Sequence, residues 1–138
     1  MAILENRNLR LGIIYLLIIF SYYCSLSIGI SWDELFEITR GQERLKYILS
    51  FGNYDVAPAQ NDKYYPGLYS TISAFLSNIM PKKYIYETFH LINNTFSIFT
   101  IFGLYKLSKL LFNKNVAFTS LIILFLNPTF FGHMSMNP

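Results

Sequence analysis

The chain has 138 residues, of which 53% are hydrophobic, 18% aromatic and 14% charged, and its formal net charge is +3. A soluble domain of this composition would have too few polar side chains to cover its surface, so the composition indicates an integral membrane protein. The single cysteine, Cys24, excludes an internal disulfide and a cysteine-rich metal site. The predicted fold class is all-α integral membrane.

The first predicted element is an apolar helix from Leu11 to Ile30, which contains no charged residue. A helix of this length rises about 30 Å, the thickness of the hydrocarbon core of a bilayer. A cleaved signal peptide would have a shorter apolar core, whereas Tyr22, Tyr23 and Cys24 continue the apolar stretch. We therefore expect a retained membrane anchor.

Trp32-Asp33-Glu34 follows this helix directly, which places two adjacent carboxylates in the water next to the membrane. Ser31, with Glu34 three residues later, fits a capping box in which Ser31 caps a new helix and Glu34 bonds back to it. Acids in a first helical turn also favour the helix macrodipole. The pair therefore has a purely structural interpretation beside a catalytic one.

Two amphipathic stretches continue the loop and predict interfacial helices. Leu35, Phe36 and Ile38 form an apolar face opposite acidic residues, and the stretch from Leu45 to Phe51 repeats the pattern after Gly41. A surface ion pair between residues 37 and 40 fits their helical spacing. Helices of this kind rest their apolar face on lipid.

Residues 64–80 form an apolar segment that is a poor membrane span. Pro66-Gly67 is a turn signal, and several serines, a threonine and an asparagine interrupt the segment. We expect an interfacial or re-entrant helix within an external loop that covers residues 31–89. A fourth span at 64–80 is the alternative.

Two further spans are predicted at about residues 90–111 and 116–131. Asn93-Asn94 lies near one end of the first of them, where asparagines most often hydrogen-bond neighbouring helices. Pro128 marks the outer end of the apolar part of the second. The prediction is thus three spans, or four with the alternative.

The distribution of charge sets the predicted topology. Seven of the eight acids lie between residues 31 and 89, and none follows Thr88. With three spans, the basic residues outside this loop share one side of the membrane: Arg7, Arg10, Lys106, Lys109 and Lys114. The positive-inside rule then predicts a cytoplasmic amino terminus and an extracytoplasmic loop, as in a bacterial inner membrane or its equivalent.

These features together resemble a known family. An Asp33-Glu34 pair just beyond the first span, interfacial helices, and paired spans that end in Asn127-Pro128-Thr129-Phe130-Phe131-Gly132-His133 are similar to the polytopic glycosyltransferases of the protein O-mannosyltransferase (GT-C) superfamily. The resemblance implies that the Asp-Glu pair is the active-site signature and that the donor is a sugar on a polyprenyl phosphate. The chain would then be the amino-terminal part of a larger enzyme and inactive alone.

The resemblance and the chemistry suggest roles for five residues. Asp33 is the predicted general base, Glu34 would hold the acceptor or the structure, and the two roles could be exchanged. Arg40 and Arg44 are candidates for the donor phosphate, although pairing with Glu37, Glu43 or lipid headgroups is the alternative. His133 is a candidate for lining the site, or else an ordinary interfacial histidine.

The predicted partners are a polyprenyl-phosphate sugar, an acceptor hydroxyl and membrane lipid, without nucleic acid, because no phosphate loop or nucleic-acid motif is present. His90 and His133 lack ligands at metal spacing. No cofactor is predicted, and a divalent metal for the phosphate is left open. The alternative function is a small non-catalytic membrane or assembly protein in which the acids only cap a surface helix.

Overall fold

The computed structural model describes residues 6–54 and 67–136, which contain helices and no β-strand. This confirms the all-α prediction for the part of the chain described. The elements in chain order are α1 (Arg7–Ser27), α2 (Glu34–Leu49), α3 (Leu68–Ser77), a 3-10 turn (Lys82–Tyr84), α4 (Ile85–Leu111), α5 (Lys114–Leu126) and α6 (Pro128–Met136).

The chain divides into two compact units. Residues 1–29 and 90–138 form the first, which we call the core unit, and residues 30–89 form the second, the loop unit. The boundary matches the predicted external loop of residues 31–89 to within a residue. Each unit is described separately below.

Helix α1 is the clearest membrane-span candidate among the described residues. It begins at Arg7, because the Asn6 Oδ1 accepts hydrogen bonds from the backbone N–H groups of Asn8 and Leu9 at 3.0 and 3.2 Å. It ends at Ser27, so the predicted range of 11–30 lies about three to four residues too far along the chain. Only 11% of its apolar window is buried, whereas a core helix of a soluble protein would be mostly buried.

Helix α4 is longer than predicted but less apolar than α1. It starts at Ile85, five residues before the predicted start at 90, and its 27 residues rise about 40 Å. Asn93, Asn94, Lys106 and Lys109 lower its mean hydropathy, and α4 does not qualify as a span by length and composition together. Three spans are therefore a proposal.

The predicted span of residues 116–131 is not one continuous helix, because the chain breaks at Asn127. Helices α5 and α6 meet there at 66°, and only the bent pair together is apolar and long enough to count as a second candidate span. The Asn127 Oδ1 accepts from the backbone N–H of Phe130 at 3.0 Å, and Pro128 has no N–H to bond back into α5. The expectation that Pro128 marks the end of the apolar helix is confirmed.

The core unit buries an apolar centre between its helices. Buried side chains come from α4, α5 and α6, and α1 contributes partly buried aliphatic side chains: Ile98, Ile101, Leu121, Phe125 and Met134, with Ile14, Leu17 and Ile18 of α1. The Phe131 ring lies 5.9 Å from that of Phe20 and 5.5 Å from that of Phe125, between centroids. Aromatic packing thus joins α6 to α1 and α5.

Hydrogen bonds between buried polar side chains add to this packing. Asn93 Nδ2 donates to the His133 carbonyl at 2.8 Å, and Asn94 Nδ2 donates to Ser21 Oγ at 3.2 Å. The hydroxyls of Ser25 and Ser135 lie 2.7 Å apart. The predicted role of Asn93 and Asn94 as hydrogen-bonding links between helices is confirmed.

The loop unit is built around a close packing of α2 on α3. The buried face of α2 comprises Glu34, Ile38, Gly41 and Leu45, and that of α3 comprises Ser70, Ser73, Ala74 and Ser77. A Cβ at position 41 would overlap the Ser70 carbonyl, so only glycine permits this approach. The predicted helix over residues 64–80 is shorter, with ten residues from Leu68 to Ser77.

Helix α2 ends in a left-handed turn at an unusual residue. Phe51 N–H donates to the Ile48 carbonyl at 3.1 Å and Gly52 N–H to the Tyr47 carbonyl at 2.9 Å, the two bonds of a Schellman motif. Phe51 occupies its left-handed position with a φ of 53°, where glycine is usual. Its side chain is 95% exposed.

Candidate active site in the loop unit

Four of the charged residues of α2 and its N-cap form one half-buried line, which we call the polar stripe: Asp33, Glu37, Arg40 and Arg44. Their spacing of four, three and four residues places them on one side of the helix. The stripe flanks the buried face of α2 that packs on α3. At about 1.5 Å per residue along the helix axis, Asp33 lies roughly 10 to 16 Å from the two arginines, and Glu37 roughly 4 to 10 Å.

Asp33 is the N-cap residue of α2, but its side chain makes no capping bond. Its backbone is already helical, with φ −96° and ψ −10°, and its Oδ1 accepts from Ser31 Oγ at 2.8 Å. The N-cap of the helix lies two residues after the Ser31 that the predicted capping box names as the cap, and the Ser31 hydroxyl donates to the Asp33 carboxylate. The half-buried Asp33 carboxylate is therefore oriented by Ser31 and makes no capping hydrogen bond to the start of α2.

Glu34 occupies a different environment, although it is the next residue. It is 4% exposed and belongs to the face of α2 that packs on α3. The predicted placement of Glu34 and Glu37 in the first turn is confirmed. The two carboxylates are therefore distinguished by burial, with Glu34 inside the helix packing and Asp33 at its edge.

Tyr69 of α3 lies against these acids and was not singled out by sequence reasoning. The pKa of Tyr69 is raised from 10.0 to about 12, mainly by burial and to a lesser extent by the charges of Glu37 and Glu34, while the nearby Ser73 hydroxyl acts to lower it. Its hydroxyl donates to the Phe89 carbonyl at 3.4 Å. Only knowledge of which face of α3 meets α2 could have identified it.

The two arginines of the stripe have different partners. Arg40 Nη1 pairs with Glu43 Oε2 at 2.8 Å, and its guanidinium lies 5.3 Å from the centroid of the Phe36 ring. This confirms the pairing with Glu43 that was the structural alternative for Arg40. Arg44 Nη1 donates to Ser70 Oγ at 3.0 Å, so this guanidinium links α2 to the start of α3.

The histidines belong to the core unit. His133 is exposed in α6, while its carbonyl accepts from Asn93, and His90 is 3% exposed with Nδ1 3.1 Å from the Ser25 carbonyl. The loop unit therefore brings together four of the five predicted site residues, and His133 is not among them.

Within residues 6–54 and 67–136, no three His, Cys, Asp or Glu side chains come together in a group that would hold a metal ion. Asp55, Asp62 and the Tyr64-Tyr65-Pro66 part of the predicted turn lie outside the described residues.

Comparisons with known proteins found no matching family model, no matching curated protein and no matching solved structure.

Proposed function

We propose that this chain is the amino-terminal part of a membrane glycosyltransferase, which transfers a sugar from a polyprenyl-phosphate donor to an acceptor hydroxyl on the extracytoplasmic side. In the proposed reaction the Asp33 carboxylate takes the proton of the acceptor hydroxyl. The hydroxyl oxygen bonds to the anomeric carbon, and the bond from that carbon to the phosphate oxygen breaks. Polyprenyl phosphate leaves with the electron pair.

The different environments of Asp33 and Glu34 carry this proposal. A general base must reach a substrate, and Asp33 lies half-buried at the edge of the helix packing, without a capping bond to the backbone. Glu34 is enclosed against α3 and has a positioning role in the proposal. A carboxylate that only capped the helix would accept a backbone N–H, which Asp33 does not do.

The polar stripe supplies a place for the donor phosphate. Arg44 presents a guanidinium at the junction of α2 and α3, fixed through Ser70. Guanidinium groups bind phosphate oxygens in a bidentate manner and stabilise the charge that develops on a departing phosphate. In the proposal Arg44 and Arg40, the latter already paired with Glu43, supply the positive charge that attracts the donor phosphate to the polar stripe.

The exposed apolar surface of the loop unit supports its placement on a membrane. Trp32 is fully exposed, and Phe51, Leu68 and Ile79 are 95%, 75% and 70% exposed. Large apolar side chains at this exposure favour insertion at the interface between lipid and water. Phe51 is notable because it stands in a left-handed turn position that glycine would occupy with less strain.

The packing of α1 supports its role as a retained anchor. Its last turns bury Ser21 and Ser25, which hydrogen-bond Asn94 of α4 and Ser135 of α6. Removal of α1 as a signal peptide would leave these buried polar groups without partners, at a cost of about 1 to 3 kcal/mol each. We therefore propose that α1 spans the membrane and that α4 and the bent α5–α6 pair are embedded beside it.

The test is transfer of radiolabelled mannose from a polyprenyl-phosphate carrier in membranes that contain the intact encoded protein. Asp33→Asn is expected to lower transfer by at least 100-fold, because a positioned general base contributes about 10²- to 10⁴-fold. Glu87→Gln is the matched control, since it removes one carboxylate charge of the same unit outside α2. Equal transfer by Asp33→Asn and wild type, at equal protein level, would contradict the assignment.

A further inference from the structure

A basic cavity lies at one end of the core unit, where α1 begins, α4 ends and α5 begins. Its volume is about 370 Å³. Four cationic side chains line it, together with two aromatic ones: Arg7, Arg10, Lys109, Lys114, Tyr105 and Phe118. None of these residues belongs to the proposed active site.

No acidic side chain balances these cations within the described part of the core unit. Residues 6–29 and 90–136 contain no aspartate or glutamate, and Glu5, the nearest acid in the sequence, lies outside the described residues. Cations gathered around one cavity repel one another, and a bound anion relieves that repulsion. The positive end of the α5 macrodipole adds to the same potential.

Arg10 is held in place by the protein at the lining of this cavity. Its Nη2 donates to Asn115 Oδ1 at 2.7 Å, its Nη1 to the Lys114 carbonyl at 3.4 Å, and its guanidinium lies 5.5 Å from the centroid of the Phe118 ring. These contacts fix the position of one positive charge of the cavity before any anion binds.

We propose that this cavity binds a phosphate group. Guanidinium and ammonium groups are the usual protein partners of phosphate, with Arg as a bidentate donor and Lys as a point charge. The cavity volume suits a small ligand or a headgroup. Two sources share this chemistry, an anionic phospholipid headgroup and soluble phosphate, and the proposal stands independently of the proposed transferase activity.

The membrane setting favours the headgroup as the source. Basic pockets between membrane helices on the cytoplasmic side commonly bind anionic lipid headgroups. The charge distribution predicts that this end of the core unit is cytoplasmic. The site therefore lies, in the proposed topology, on the side of the membrane opposite to the polar stripe.

The experiment uses the intact encoded protein in phosphatidylcholine nanodiscs, with phosphatidylglycerol as one probe and inorganic phosphate against ionic-strength-matched chloride as the other. Affinity is obtained from the rise in thermal unfolding midpoint with probe concentration. The variant Arg7→Gln/Lys109→Gln removes two exposed cations and leaves the contacts of Arg10 intact. Lys82→Gln/Lys83→Gln is the control, with the same loss of charge in the 3-10 turn of the loop unit.

We expect the double variant at residues 7 and 109 to lose about 25-fold in affinity, since each cation near an anionic surface contributes about fivefold. The control should change by less than twofold. If the double variant does not fold, Arg7→Gln alone should lose about fivefold. Response to phosphatidylglycerol alone identifies a lipid headgroup, and an equal response to phosphate identifies a soluble ligand.

Two results would overturn the proposal. Wild-type protein that responds to neither probe has no phosphate site. An equal loss of affinity in the control and in the cavity variant would show that net charge alone, and not this cavity, attracts the anion.

Discussion

The core unit and the loop unit are both helical, but they join their helices by different means. In the core unit, polar side chains such as Asn93 and Ser25 hydrogen-bond across otherwise apolar helices. In the loop unit, small residues let the backbones of α2 and α3 approach until Gly41 meets the Ser70 carbonyl. Side chains therefore join the helices of the core unit, whereas the packing of the loop unit depends on the close approach of Gly41 to the Ser70 carbonyl.

The two units also differ in charge. Asp33, Glu34 and Glu37 lie in the loop unit, while the described residues of the core unit contain only basic and uncharged side chains. Among the described residues, carboxylate side chains are therefore confined to the loop unit. The following predictions are designed to separate the units in the order of expected effect.

Gly41→Ala should cause the largest loss of stability at neutral pH. The added Cβ would overlap the Ser70 carbonyl, and the helices must separate at a cost of about 1 to 3 kcal/mol. Hydrogen exchange measured by mass spectrometry should show faster exchange in α2 and α3 and unchanged exchange in α5. Gly103→Ala in α4 is the control, because its Cβ meets nothing within 4 Å, and it should stabilise its helix by about 0.5 to 1 kcal/mol.

If Gly41→Ala slowed or left unchanged the exchange of α2 and α3, the close approach of these helices would not be a requirement of the fold. The comparison between the two units would then lose its main support.

Alkaline pH should destabilise the loop unit through Tyr69. Its pKa is about 12 in the folded protein, against an ordinary value of 10.0, so between these values the folded state holds a proton that the unfolded state has released. The stability linked to this proton is fully present below pH 10 and is lost as the pH rises to about 12, by about 2 to 3 kcal/mol in all.

Tyr69→Phe should remove this part of the pH dependence, measured as the difference between the unfolding free energies of wild type and variant from pH 9 to 12. Tyr84→Phe, at a 46% exposed position of the same unit, controls for loss of a tyrosine hydroxyl. If the difference in unfolding free energy between wild type and Tyr69→Phe stayed constant with pH, Tyr69 would not be enclosed beside the acids.

Asn93→Ala should destabilise the core unit by the smallest amount, about 1 kcal/mol. The substitution removes the donor to the His133 carbonyl, and hydrogen bonds between membrane helices contribute about 0.6 to 2 kcal/mol. Thermal unfolding in micelles and hydrogen exchange of α6 measure the effect. The control is Thr119→Ala, at an exposed position of α5. Asn115 is also exposed, but its side chain accepts a hydrogen bond from Arg10 and is therefore left unchanged.

Enhanced exchange in α2 and α3 after Asn93→Ala would contradict the separation of the units. Faster hydrogen exchange in α4 and α6, with unchanged exchange in α2 and α3, is the expected result.

Composition and charge predicted the broad organisation because they depend on the residues of a segment alone and not on the neighbours that pack against it. An uncharged stretch of sufficient length predicts α1 whatever surrounds it, and the polar asparagines of α4 predict hydrogen bonds to neighbouring helices. The boundary between Asn127 and Pro128 follows from the missing N–H of proline. The acids concentrated between residues 31 and 89 coincide with the loop unit.

The details that depend on packing partners were not predictable. Ser31 and Asp33 are both suitable N-caps, and burial of Glu34 against α3 accompanies the start of the helix at the later residue. The apolar pattern continues through Asn127 into Phe130 and Phe131, so hydropathy alone does not reveal the 66° bend. Gly41 and Tyr69 acquire their roles only from the face that α3 presents. The catalytic roles of Asp33 and Glu34 stay predictions.

The account depends most directly on the sidedness of the two units. Single cysteines at Lys83 and at the 68% exposed Phe112, introduced in a Cys24→Ser background, can be labelled in intact cells with a membrane-impermeant maleimide. The proposed topology predicts labelling at position 83 from outside and labelling at position 112 only after the membrane is opened. The opposite result at both positions would place the polar stripe and the basic cavity on the wrong sides and would contradict the account.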